Sequence, residues 1–164
     1  MKRSEIYAAI RDVAKSEMPD VVFVDLQKQQ VKRQTENFPL PMPALLVEFK
    51  NITYSNIGSK SQLGEMHITL WLYEALVTNS FGGAEMETET LALLDRADEV
   101  FEAFHCNTLG GIGNMTRIAD LPCDYGKDWI ASKTAFKLIV KDKKEIGVTA
   151  TDKVPRVKIV TKFG

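Results

Sequence analysis

The stretch Gln62-Leu63-Gly64-Glu65-Met66-His67-Ile68-Thr69-Leu70-Trp71-Leu72-Tyr73-Glu74 decides the fold. Met66, Ile68, Leu70 and Leu72 recur at every second position, the period at which side chains share one face of a β-strand. His67, Thr69, Trp71 and Tyr73 make the other face. Large groups on both faces put such a strand in the middle of a sheet, or set one face against another subunit.

The flanking sequence reads outward from this strand. Ala44 to Tyr54 is a second strand, with Leu45, Val47 and Phe49 on one side and Glu48 and Lys50 on the other. Ser55 to Ser61, with Gly58, joins the two as a polar turn. Ahead of them, Phe38-Pro39-Leu40-Pro41-Met42-Pro43 lacks three backbone donors, so it is an extended lead-in rather than helix or central strand. The polar stretch Gln27 to Asn37 reads as an exposed hairpin arm or a mobile loop. Val21 to Leu26, β-branched and aromatic, reads as a strand. Ser4 to about Met18 reads as a helix, with Ile6, Ile10, Val13 and Ala14 on one face, Ser4 as N-cap and Pro19 ending it.

Downstream, Thr88 to His105 is a second helix. Leu91, Leu94, Ala97, Val100, Phe101 and Phe104 supply its apolar stripe, and Glu85, Glu87 and Glu89 suit its N-terminal dipole. Met115 to Leu121 and Trp129 to Lys141 read as a closing hairpin around a turn at Pro122–Gly126. In the last strand Ile130, Phe136, Leu138 and Val140 face inward and Lys133, Lys137 and Lys141 outward. The order α-β-β-β-α-β-β implies an α+β fold: a mostly antiparallel sheet with two amphipathic helices on one face. Residues 1–141 form that domain, and 142–164 are a basic C-terminal extension carrying Arg156 and Lys158.

At 164 residues the chain suits one domain with a self-sufficient core. A formal net charge of −1 argues against a dedicated nucleic-acid binder. The N-terminus has no apolar signal-peptide segment, and no apolar run approaches the ~20 residues that span a bilayer. The expected protein is therefore soluble, not membrane-bound, with Cys106 and Cys123 as reduced thiols.

Candidate chemistry is sparse. His105, Cys106, Cys123 and Asp124 could contribute metal ligands, but their spacing matches no usual zinc pattern. Gly110-Gly111-Ile112-Gly113-Asn114 looks like a dinucleotide loop, yet it follows a helix and precedes a strand, the reverse of what phosphate binding needs; it reads as a helix C-cap and turn. Asp120, Asp124 and Asp128 read as turn residues. The expectation is a non-enzyme with no cofactor and no metal. Trp71 and Tyr73 are either interface anchors or core, and the basic tail is either a solvated end or a partner-binding segment.

In their order these segments resemble phage tail-terminator (tail-completion, neck) proteins. The likeness rests on the Gln-rich polar stretch after the first strand and on Phe38-Pro39-Leu40-Pro41-Met42-Pro43-Ala44-Leu45-Leu46-Val47-Glu48-Phe49. It rests also on the strand Gln62–Tyr73, the helix Leu91–His105 and the closing segment Arg117–Val140 with Asp124-Tyr125, so it spans Ile6 to Val140. It implies a homo-oligomeric ring, hexameric in that family, that caps the tail tube, stops its polymerisation and faces a head-side neck protein. DNA would only pass through the lumen. Assembly would take place in the host cytoplasm, and the finished ring would reside in the virion tail or neck. Lys28, Lys32 and Arg33 in the polar arm, with Trp71, Tyr73, Arg156 and Lys158, are then the expected subunit or partner contacts. A head–tail connector, a stand-alone ligand-binding or adaptor module, and an unrecognised enzyme using Asp120, Asp124, Asp128 or His105 are the alternatives.

Overall fold

The computed structural model describes residues 2–33, 39–58, 61–77 and 82–143. Seven principal elements follow the expected order: α1 (Arg3–Glu17), β1 (Phe23–Leu26), β2 (Ala44–Gly58), β3 (Ser61–Ala75), α2 (Glu87–Phe104), β4 (Met115–Tyr125) and β5 (Trp129–Lys143). Short 3-10 turns lie at Gln30–Arg33 and Leu109–Gly111. The fold is α+β, a five-stranded sheet of order β1-β2-β3-β5-β4. Every pairing is antiparallel except β1 with β2. That exception is possible because the long segment between β1 and β2 carries the chain back to the same end of the sheet.

β3 is the central strand, the first of the two arrangements that its two-sided alternation allows. Leu72 lies opposite Leu45, Leu70 opposite Val47, and on the other side Ile68 opposite Phe136 and Met66 opposite Leu138. These side chains meet Ile6, Ile10 and Ala14 of α1 and Val100 and Phe104 of α2 in the main core, so both helices cover one face. Phe104 and Phe136 meet edge to face, ring centroids 6.2 Å apart.

The structure moves several expected boundaries. Lys2 rather than Ser4 caps α1; its backbone N–H donates to the Glu5 carboxylate at 3.1 Å. β1 begins at Phe23, two residues late. β2 runs on to Gly58, so the expected turn from Ser55 is mostly hairpin. β4 continues through Pro122 to Tyr125, with register shifts at Arg117/Ala119 and Leu121/Asp124, and the turn slides to residues 126–128. Pro122 is tolerated because β4 is an edge strand, whose outer donors need no ladder partner.

The apolar stripe of α2 is corrected too. Leu93, Val100 and Phe104 are buried, with Ala97 partly so, while Leu91 and Leu94 are exposed. At 3.6 residues per turn, 93, 97, 100 and 104 share one line along the helix, whereas 91 points away from it and 94 to its side.

A second, smaller core on the opposite face was absent from the sequence reading. Val31, Ala44, Leu46, Tyr73 and Ala131 are buried there, with Phe23, Leu40, Met42, Trp71 and Trp129 packed around them. The start of the polar arm is therefore ordered: its 3-10 turn inserts Val31 into this cluster.

The glycine-rich exit of α2 is a turn, with Gly110 at φ 66° and Gly111 at φ 91°. Gly113 has a different constraint: a Cβ there would lie 2.2 Å from the Ile139 carbonyl oxygen. Backbone cannot yield at that distance as a side chain can. Gly113→Ala should therefore cost about 1–3 kcal/mol, read as a lower urea midpoint with an unchanged slope. A midpoint equal to wild type would refute this close-packing role.

Candidate functional site

The sheet face away from the helices holds the most varied group of polar and aromatic side chains. Pleat and register place them: Trp71 of β3 lies opposite Leu46 of β2 and Lys133 of β5, and Tyr73 lies opposite Ala44 and Ala131. Trp71 and Tyr73 are near-parallel, with centroids 6.1 Å apart, and Trp129 tilts onto Tyr73 at 5.2 Å. Beside these rings is a cavity of about 320 Å³, walled by Gln27, Gln29, Val31, Lys50 and Asp124 as well as Trp71 and Trp129.

The polar groups around it are paired. The Trp71 indole N–H donates to Glu48 Oε2 at 2.9 Å, and Lys50 Nζ reaches Glu48 Oε1 at 2.5 Å. Lys133 Nζ sits 5.0 Å from the Trp71 ring centroid and donates to Asp124 Oδ1 at 3.0 Å. The Gln27 amide donates to the Tyr73 hydroxyl at 2.9 Å. Burial, with Asp124 and Glu48 nearby, pushes the Tyr73 phenol above its ordinary pKa, although the Gln27 hydrogen bond opposes this. The phenol is thus neutral at pH 7. Further along the face, Glu65 accepts a contact from His67 at 3.3 Å and from Lys137 at 3.7 Å.

The structure brings two of the expected contact residues, Trp71 and Tyr73, into one region. Tyr73 is 4% exposed and belongs to the second core, while Trp71 is half-buried at the cavity wall. Lys28, nearby in sequence to Gln27, pairs with Asp25 at 3.1 Å. Burial would raise the Asp25 carboxyl pKa, but the Leu26 N–H, Lys28 and Gln30 outweigh it and hold it below the ordinary range. Lys32 and Arg33 close the 3-10 turn, while Arg156 and Lys158 lie outside the described residues.

The candidate metal ligands separate. His105 stacks on Phe101 and its Nδ1 accepts the Arg117 backbone N–H, whereas Asp124 is on the helix-free face with Lys133. Among the described residues no group of three His, Cys, Asp or Glu side chains is placed to hold a metal. Asp120 pairs with Arg117 at 3.3 Å. Among the described residues no helix is long and apolar enough to cross a membrane.

Exposed apolar side chains mark the margins. Ile118, Leu121 and Tyr125 lie on edge strand β4, and Tyr54 and Ile57 on the β2–β3 hairpin. One charged residue escaped the sequence reading. Glu74 continues the apolar series 66, 68, 70, 72, where the pattern calls for a hydrophobic residue; that break in the alternation is its legible signal. It is 2% exposed and its Oε1 accepts the Arg96 Nε–H of α2. Comparison with known protein families and with characterised proteins gives no match.

Proposed function

We propose that this chain is a structural assembly subunit of the tail-terminator kind. In that role it forms a ring that caps a phage or prophage tail tube, stops its polymerisation and meets the head-side neck. The observation that supports it best is the division of the sheet. Helices cover one face, while the other face and the β4 edge keep aromatic and apolar groups without full intramolecular cover. An edge strand of eleven residues offers backbone groups for strand addition. A ring needs two different surfaces that meet head to tail and close. The two sheet edges, β1 and β4, lie at opposite ends of the strand order and suit that division of labour. A neighbouring neck-protein role would use the same surfaces.

A second reading, a stand-alone adaptor or ligand-binding module, draws on the 320 Å³ cavity, whose size is within the range of small-molecule sites. Native mass over a concentration series, followed by negative-stain imaging, separates the two. A ring with a central hole supports the terminator reading. A monomer at all concentrations that also fails to bind tube ends sinks it.

Replacing Lys28, Lys32 and Arg33 together with Ala should leave the circular-dichroism spectrum and the urea midpoint nearly unchanged; Lys28 is exposed, and its pair with Asp25 is of the surface kind that contributes little. Ring formation or tube capping should fall. Unfolding of the triple variant, or unimpaired assembly, would remove the polar arm from the interface.

A further inference from the structure

The charges around the cavity beside Trp71 select among ligands. Glu48, Lys50 and Asp124 line it, and Asp124 in turn holds the Lys133 ammonium at 3.0 Å. Two carboxylates and two ammonium groups cancel. A cation would find its place over Trp71 already taken by Lys133, whose Nζ lies 5.0 Å from the ring centroid. An anion would meet Glu48 and Asp124. Hydrogen-bonding capacity is nevertheless left over. Asp124 uses Oδ1 on Lys133, and its Oδ2 has no hydrogen bond among the described residues. Lys50 gives Glu48 one of its three donors. Both side chains reach solvent, Asp124 at 48% exposure and Lys50 at 44%.

The arm adds a positioned amide. Gln29 holds φ at 60°, a left-handed backbone that is costly for any residue with a Cβ. Gln27 keeps it there: its side-chain Oε1 accepts the Gln29 N–H at 2.9 Å while its Nε2 donates to the Tyr73 hydroxyl at 2.9 Å. The Gln27 amide is thus fixed at both ends, and it ties Gln29 to the sheet. Gln29 itself is exposed and lines the cavity, so its amide is presented on backbone that is ordered in advance.

We propose that this cavity binds one neutral monosaccharide. Each sugar hydroxyl both donates and accepts, so neighbouring hydroxyls donate to Asp124 and accept from Lys50 and the Gln29 amide while both ion pairs stay intact. The C–H side of the sugar lies on the apolar wall that Val31, Trp71 and Trp129 supply. A volume of about 320 Å³ is near the lower end of the ~300–1,000 Å³ of small-molecule sites, which suits a single sugar rather than a chain of them. The proposal rests on the ligand-binding reading of this cavity and is independent of subunit assembly.

Trp71 and Trp129 are the two tryptophans of the chain and both line the cavity, so intrinsic tryptophan fluorescence reports on this site. The test titrates the full chain at pH 7 with glucose, galactose, mannose and N-acetylglucosamine. Tetramethylammonium chloride, sodium acetate and glycerol serve as cation, anion and open-chain polyol controls. The expected result is a saturable change with at least one sugar and with none of the controls. Asp124→Asn, which preserves shape, should weaken that sugar's binding by about tenfold or more, the loss of a charge-assisted hydrogen bond. Gln29→Gly removes the amide and relieves the left-handed backbone, so it should keep or raise the urea midpoint and still weaken binding; a purely structural Gln29 would leave binding unmoved. Sugar binding undiminished in both variants, or no saturable response to any sugar, overturns the proposal. Saturation by an ion control in place of the sugars overturns it too but keeps the ligand-binding reading, and silence from every probe removes both.

Discussion

Phe136→Ala should remove about 3–5 kcal/mol of stability, a large part of the ~5–15 kcal/mol that holds a domain together. Phe136 is fully buried on β5, opposite Ile68 in register. Its ring meets Phe104 of α2. It therefore joins the sheet to α2 in one contact, and no neighbouring strand can shift to fill the gap without breaking its ladder. Urea denaturation should show a midpoint shifted far down, and the far-ultraviolet spectrum at 37 °C should reveal a substantial unfolded fraction. Phe136→Leu, which keeps most of the volume, should lose much less. A loss below about 1 kcal/mol for the alanine variant would mean that the main core is not organised around this ring.

Arg96→Ala should be the second most damaging change. Among the described residues it takes the only cation paired with the buried Glu74 carboxylate and leaves the charge uncompensated. Removing one partner of a buried pair typically costs about 3–5 kcal/mol; Arg96 is 24% exposed, so the lower end of that range is expected. The loss should depend on pH. The folded-state pKa of Glu74 already lies above the ordinary 4.5, so between the two values the folded state holds more protons than the unfolded state. Stability from this group is therefore fully present below about the ordinary value and declines as pH rises through the folded one. Without Arg96 the folded pKa rises further and the window widens. Glu99 acts in the same direction as a carboxylate neighbour. The Arg96→Ala defect should accordingly be largest at neutral pH and shrink in acid, as followed by urea midpoints across pH. Combining it with Glu74→Leu should restore most of the stability. A defect independent of pH would show that Arg96 acts through packing rather than through charge.

Much of this architecture was legible in residues that repeat. The alternation Met66, Ile68, Leu70, Leu72 marks β3 as a strand, because period two admits no other regular structure; its two large faces left a central place or a face against another subunit, and the strand order shows the central place. The same rule sets the inward row Phe136, Leu138, Val140. α2 was legible as a helix but not in its orientation. Leu91 and Leu94 are as hydrophobic as Leu93, and only contact with the sheet selects which line of the helix is buried. Boundaries failed where local chemistry is ambivalent: Ser4 is a good N-cap type, yet Lys2 holds that place, and Pro122 reads as a turn although an edge strand accommodates it.

The candidate sites were legible only in part. Trp71 and Tyr73 drew notice as aromatics on the same strand face, but the sequence does not contain the fact that Tyr73 is covered by Val31 and Ala131 while Trp71 borders a cavity. Gln27 and Asp124 join that cavity from positions far apart in the chain. Glu74 and Arg96 are twenty-two residues apart on different elements, so their pairing follows from the way α2 lies across β3.

By itself the sequence determined the element order and the division of each long strand into two faces, because backbone periodicity is a local property that burial merely reads out. Only the tertiary structure decided which side of α2 is buried, that a second core closes over the start of the polar arm, and that Glu74 is buried against Arg96. Those depend on distances between segments remote in the chain, and no local pattern of side chains encodes such distances.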